Sequence, residues 1–356
     1  MGIAIVAQTR IITEDAEYTV DRMNEVLAPL GDSTMLVTGS NGFLCSYYLD
    51  TIAAYNRRNP NHPCKVIAID NNLIGSSARV QHLANDPNFT FVTHDITKPL
   101  DLPMPVHWLI HGGGIASPIF YRRFPLETID VNVGGLRHVL DLARGSETRG
   151  MLYMSTSEIY GDPDPAWIPT PETYRGNVSC TGPRACYDES KRLGETLCVT
   201  YHQLYGTPVK IIRPFNVYGP GISLDDRRVI PDFVSNVLQE KPITLLSDGR
   251  ATRSFCYVRD FIMGSLWVML KGENGEPYNI GNTEEVSILD VANMAAELCS
   301  PPLAVTYEES EDVHYLTDNP QRRCPDISKL RALAPAWRPE ILVRAGLARM
   351  LSSYKL

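Results

Sequence analysis

The sequence predicts an α/β fold, a doubly wound parallel sheet followed by a smaller C-terminal α/β lobe. Three observations predict it. A short apolar strand, Thr34 to Thr38 (TMLVT), runs straight into a glycine turn and then a helical stretch, SYYLDTIAAYN. Strands and helical stretches then alternate to about residue 216, the pattern of βαβ units. The 356 residues, 44% of them hydrophobic, are enough to cover both faces of a large sheet.

Residues 1–33 precede that core as a leader. Between Glu14 and Leu30, the positions Val20, Met23, Val26, Leu27 and Leu30 have the spacing of a short amphipathic helix, whose expected role is packing or a subunit contact. Residues 34–216 form the expected main domain. Its first turn is Gly39-Ser-Asn41-Gly42-Phe43-Leu44-Cys45. Gly39 permits a tight turn, Gly42 lets the backbone approach a pyrophosphate, and the following helix start offers unpaired N–H groups to the anion. The next strand, Lys65 to Ile69, ends in Asp70 and Asn71. A carboxylate there suits a ribose diol and repels a 2′-phosphate, which favours NAD over NADP.

Phe89 to Thr93 reads as a third strand, followed by His94, Asp95 and Ile96. Asp95 is placed either to meet an adenine amino group or to cap a turn. Trp108 to His111 is a fourth strand, leading into Gly112-Gly-Gly and then Ser117-Pro118 and Tyr121. Small residues at a strand's carboxyl end let a flat cofactor lie against backbone. A helical stretch with Asn132 and Gly134 follows.

The fifth strand ends at Ser155-Thr156-Ser157-Glu158, and a polar, Pro-rich loop separates it from Tyr187 and Lys191. Tyr and Lys at i and i+4 share one face of a helix. An ammonium beside a phenol favours the phenolate, so Lys191 is expected to lower the Tyr187 pKa from about 10 towards neutrality. Such a tyrosine can take a hydroxyl proton while hydride leaves the same carbon. The sixth strand, Val209 to Arg213, leads to Pro214-Phe-Asn216-Val-Tyr-Gly.

Residues 217–356 form the expected substrate lobe, with strands around 251–282 returning to the core. Arg227, Arg228 and Arg253 stand among polar loops and turns that suit an anionic ligand, and Arg323 lies in an Arg-rich turn, NPQRRCPD. Two late helices are expected, from about Ile288 to Cys299 and from Glu340 to Leu351.

Composition excludes several function classes. The net charge is −8 with no long basic run, which argues against a nucleic-acid footprint. Eight cysteines with no CxxC pair fit a reduced, cytoplasmic protein. Eight histidines form no HxH or HxxxH ligand set, so no metal is expected. The apolar run at the N-terminus is too short for a signal segment or a membrane span.

Taken together, the ordered motifs TGSNGFLC, STSEIYG, YDESK, RPFNVYGP and NIGN resemble those of the extended short-chain dehydrogenase/reductase family, whose members modify nucleotide-activated sugars. The resemblance spans about residues 34–345. Within the family, STSEIYGDP, GPRACYDESKR, ATRSFCYV and PQRRCPDI are most similar to the UDP-glucuronate decarboxylases. The resemblance implies a Rossmann-type domain, NAD as cofactor, a UDP-sugar as substrate and a homodimer formed through two helices, one bearing Tyr187. It implies Tyr187 as the base at the sugar C4 hydroxyl and Lys191 as its partner on the nicotinamide ribose. Thr156 would hydrogen-bond the reacting hydroxyl, and Glu158 and Arg323 would position the sugar and its carboxylate. Arg253 would hold the pyrophosphate, Asn216 would help seat the nucleotide-sugar, and Ser117, Pro118, Tyr121 and Arg228 would join the substrate pocket.

Several positions depart from the family pattern. The third glycine of the cofactor turn is Cys45, the Gly112 run replaces a His-Leu-Ala type of sequence, Asp130 stands where the decarboxylases carry Lys, and LLSDG lacks a nucleobase-loop Tyr. The triplet Thr156-Ser157-Glu158 lacks the aspartic acid that 4,6-dehydratases use as an acid, and Glu158 argues against a simple 4-epimerase. A 4-epimerase or C4 oxidase is the alternative expectation, needing only Tyr187, Lys191 and NAD. A non-catalytic NAD-sensing protein is a third, and the retained Tyr-Lys pair speaks against it.

Overall fold

The computed structural model describes residues 2–102, 104–145, 147–310, 317 and 319–354, with side chains described from Arg10 onward. Its centre is a seven-stranded sheet in the order β11-β6-β5-β4-β1-β2-β3, every pairing parallel. The first six strands are β1 (Thr34–Thr38), β2 (Lys65–Asp70), β3 (Phe89–Thr93), β4 (Trp108–His111), β5 (Gly150–Met154) and β6 (Val209–Pro214), as the sequence predicts. The central ones are apolar throughout because both faces are covered. Leu36, Leu109, Met151 and Ile211 bury one face against α5 (Leu136–Gly145) and α6 (Ala185–Tyr205). Met35, Val37, Ile110, Leu152 and Ile212 bury the other, beneath α2 (Phe43–Arg58) and α8 (Val258–Lys271).

Because β1 pairs with both β2 and β4, the strand order reverses there, and a crevice opens at the carboxyl ends of β1 and β4. Register sets Thr38 beside His111, and the Thr38 hydroxyl lies 2.8 Å from His111 Nδ1. Burial pushes His111 down to about 3, so the imidazole is neutral.

The leader is more than a short helix. It is α1 (Gly2–Leu27), longer than the predicted span, packed on α2 and α8. Ile12, Ala16, Val20, Met23 and Leu27 bury one stripe. On that stripe Asp15, 1% exposed, accepts hydrogen bonds from Tyr257 and from Arg349. The leader helix is thereby tied to the last helix of the chain.

Between β4 and β5 lie α3 (Pro118–Arg123), α4 (Pro125–Asp130) and a one-turn π bulge at Val131–Gly135. Past β6 the chain divides. β7 (Val217–Tyr218) pairs with β10 (Cys256–Tyr257), and α7 (Val229–Leu238) precedes β8 (Ile243–Leu245). β9 (Thr252–Ser254) joins a small sheet with β12 (Glu285–Ser287) and β14 (Arg322–Arg323), so the predicted Arg-rich turn is in part a strand. β11 (Pro277–Ile280) returns to the edge of the main sheet. The lobe is completed by α9 (Ile288–Ala296), β13 (Val305–Tyr307), α10 (Ser328–Leu333) and α11 (Val343–Ser352), the two predicted late helices beginning or ending a few residues from their expected bounds.

Candidate active site

One cleft of about 1990 Å³ runs between the main sheet and the lobe, and each candidate catalytic, cofactor and substrate residue named from the sequence lines it, while Asn132 and Gly134 do not. At one end the chain leaves β1 through Gly39 with φ +72°, a conformation that favours glycine. A Cβ there would lie 2.8 Å from Gly113 backbone atoms. Asn41, Gly42, Phe43 and Leu44 then start α2, whose first N–H groups lack helical partners. The Asp70 carboxylate accepts from the amides of Asn41 (3.0 Å) and Asn72 (2.8 Å), which fixes it at the rim of the turn beside Asn71. Asn41 Oδ1 is buried without a partner. Close backbone approach, a helix start and a fixed carboxylate suit a pyrophosphate followed by a ribose diol. Asp95 accepts from the Thr97 amide at 3.0 Å and so caps a turn while lining the cleft, and Ile96 packs against Gly113 and Gly135.

At the middle of the cleft β5 ends, and Thr156 caps a short turn by accepting from the Glu158 amide at 3.1 Å. The Thr156 side chain also stands near the Tyr187 phenol and opposes the rise of its pKa. Lys191, 4% exposed, donates to Met154 O at 2.8 Å and lies 6.0 Å from the Tyr187 ring centre. Burial lowers its pKa to about 8.

The expected lowering of Tyr187 by Lys191 is not found in the ligand-free chain. Burial pushes the phenol up, Thr156 opposes this, and Glu158 and Asp188 add to the rise. The lysine ammonium faces a carbonyl rather than the phenol, and it is itself desolvated. Tyr187 stacks on Tyr121, ring centres 5.1 Å apart and 7° from parallel.

At the far end, Glu158 is gripped from two sides. Arg323 donates through both terminal nitrogens to the two carboxylate oxygens, and Arg184 donates to Oε2. Burial alone would raise the Glu158 pKa, but Arg184 and Arg323 outweigh it and hold it at about 2. β14 pairs with β9 in a register that sets Arg323 beside Arg253. Burial and the charge of Arg323 lower Arg253 to about 10. Arg253 donates to Thr252 O and to Asn319 Oδ1, at 2.7 and 2.9 Å. Arg228 pairs with Asp226, whose carbonyl takes a hydrogen bond from Ser117 at 3.1 Å, next to Pro118. Asn216, at φ +40°, donates to Ser254 O at 3.1 Å, joining β6 to the lobe.

Sequence reasoning missed Arg184 and left Asn132 without a role. Arg184 stands in the quoted GPRACYDESK run, and its spacing three residues before Tyr187 was the available signal. Asn132 sits in the π bulge, fully buried, and donates to Ser190 Oγ at 2.9 Å on the helix of Tyr187. A Cβ on Gly114 would lie 2.9 Å from Asn132 Oδ1 and 3.5 Å from Lys191 Nζ. No helix among the described residues is long and apolar enough to cross a membrane.

The chain is similar over most of its length to proteins of known activity. UDP-glucuronic acid decarboxylase 4 of Arabidopsis thaliana is 38% identical over 321 residues, 90% of this chain and 68% of that protein. UDP-glucuronic acid decarboxylase 5 of the same plant is 37% identical over 90% of this chain and 89% of its own length. A UDP-glucuronic acid 4-epimerase from Bacillus cereus, solved with UDP-glucuronic acid and NAD, superposes with a TM-score of 0.73 at 26% identity, covering 90% of this chain and 99% of that one. The profile described as the NAD dependent epimerase/dehydratase family matches residues 35–281, and the chain belongs to that family.

Proposed function

We propose that this chain decarboxylates UDP-glucuronate to UDP-xylose, using NAD held at the Gly39 turn. The observation that carries the reading is the carboxylate gripped by two arginines, Glu158 between Arg184 and Arg323, with Arg253 in register beside them. An arginine fork suits a sugar carboxylate or a pyrophosphate, and a neutral hexose needs no such charge. The relatives named decarboxylases point the same way.

NAD, when bound, would supply the acceptor and donor of the hydride at the sugar C4. Thr156 and Tyr187 stand near each other at the end of β5, within the same cleft, which suits transfer of the C4 hydroxyl proton to the tyrosine. Lys191, fixed by Met154 O, would hold the nicotinamide ribose. Once C4 is a ketone, the C6 carboxylate is β to it. The C5–C6 bond breaks, CO2 leaves, and its electron pair enters the C4–C5 enolate. A proton returns to C5 and the hydride to C4, so one UDP-glucuronate and one proton give UDP-xylose and CO2. The substrate carboxylate competes with Glu158 for Arg323, which frees Glu158 near C5.

The likeness to a UDP-glucuronic acid 4-epimerase favours one second reading, in which the 4-keto sugar turns over and is reduced without losing C6. Exposed apolar side chains on α4 and α6, namely Leu126, Ile129, Leu193, Leu204 and Tyr205, support self-association through these helices. Eight free cysteines are in keeping with a reducing, cytoplasmic setting.

Incubation of purified protein with UDP-glucuronate and NAD, followed by proton NMR, tests the reading. UDP-xylose is expected. UDP-galacturonate in its place would establish the epimerase, and an unchanged spectrum would defeat both.

A further inference from the structure

The third position of the glycine turn is Cys45, where close packing of helix on strand ordinarily asks for glycine. Its side chain is accommodated by a vacancy across the crevice. A Cβ built on Gly112 would lie 2.3 Å from Cys45 Sγ, whereas its next neighbours, Met154 Cε and Sδ, stand at an ordinary 3.5 and 3.6 Å. The obstacle at Gly112 is therefore one sulfur atom. The backbone there is not left-handed, in contrast to Gly39, whose φ and neighbouring backbone both require glycine. The sulfur is held in place by donation to Thr38 O at 3.4 Å, and Cys45 is 3% exposed. Burial pushes the thiol up to about 12, so it is a neutral filler and not a nucleophile.

We infer that Cys45 and Gly112 are a reciprocal packing pair, in which the sulfur fills the volume that a side chain at 112 would occupy and so sets how closely α2 approaches the ends of β1 and β4. This rests on the dinucleotide reading of the turn. Cys45 and Gly112 are positioning residues: they fix where the first N–H groups of α2 point. A methyl group at 112 overpacks the crevice and moves α2 outward. The same methyl group is tolerated once the sulfur is gone.

The test is a double-mutant cycle on the full chain stripped of nucleotide, read by NAD calorimetry and by the Tm of the ligand-free protein. Gly112→Ala is expected to weaken NAD binding by about tenfold or more, and Cys45→Gly/Gly112→Ala to bind within about threefold of Cys45→Gly alone. The inference is overturned if Gly112→Ala binds NAD like the wild type, or if the double variant is as weak as Gly112→Ala. Should Gly112→Ala fail to fold, a folded double variant supports the pair and an unfolded one overturns it. If the wild type itself takes up no NAD, the dinucleotide reading fails, and the Tm values of the same cycle decide the pair independently.

Discussion

The two ends of the cleft are built on different physical grounds. The cofactor end is made of backbone: a left-handed glycine, a helix start, and strands in register that bring Thr38, Asp70 and His111 to one rim. Its parts lie close together in the sequence or are joined by the sheet. The sugar end is made of charge. Glu158 is held by Arg323, 165 residues away, and by Arg184, 26 residues away. Backbone geometry of this kind recurs in dinucleotide-binding α/β folds, whereas the charge pattern is the part proposed to select the sugar.

The largest expected effect breaks the step that both ends serve. Tyr187→Phe removes the proposed proton acceptor at C4 but keeps the stacking on Tyr121. Turnover is expected to fall by ~10³-fold or more while NAD affinity stays within about threefold. A parallel loss of NAD affinity would show Tyr187 to be structural.

Arg323→Leu strikes the sugar end alone. Glu158 is left to Arg184, and Arg253 loses a neighbouring like charge. The kcat/KM for UDP-glucuronate is expected to fall by ~10²-fold or more, with NAD binding unchanged. Glu158, now held at about 2, titrates closer to its ordinary range in this variant, so the acid limb of the pH profile moves to higher pH.

Asp70→Ala strikes the cofactor end. It removes the acceptor for the Asn41 and Asn72 amides. NAD is expected to bind about tenfold more weakly, and the preference over NADP to shrink. An unaltered preference, read from both Kd values, would take Asp70 out of the ribose site.

The smallest effect lies outside the cleft, in the leader helix. Asp15 has its pKa raised by burial from 3.8 to about 6, against the opposing pull of Arg349. A raised carboxyl binds its proton more tightly when folded, so its stabilising effect is present below 3.8 and lost as pH rises through 6. Relative to Asp15→Asn, the wild type is expected to lose Tm between those pH values and no further above them. A constant difference in Tm across that range would place Asp15 outside the linkage.

Most of the sheet was legible because its strands are short apolar runs, buried on both faces, each ending at a polar or glycine-rich turn. The Tyr187–Lys191 pair was legible because a helix fixes i and i+4 on one face. The direction of the Tyr187 shift was not. It depends on how deeply the phenol is buried, which no local spacing reveals. Arg184 was hidden for a related reason, since a lone arginine in a loop has the same sequence appearance whether it meets solvent or a buried glutamate. The extent of α1 was missed because its stripe faces α2 and α8 rather than a pattern of its own caps. Cys45 and Gly112 each departed from the family pattern, and only their proximity across the crevice makes them one feature.

The most direct test of the central claim, that an arginine-held carboxylate pocket serves loss of C6 through a C4 ketone, is to run the reaction with UDP-glucuronate in deuterated water. Protonation at C5 must then draw on solvent, while hydride returns internally to C4. UDP-xylose with one deuterium at C5 and none at C4 is the predicted product. A UDP-hexuronate that keeps C6, with no deuterium at C5, would contradict the account.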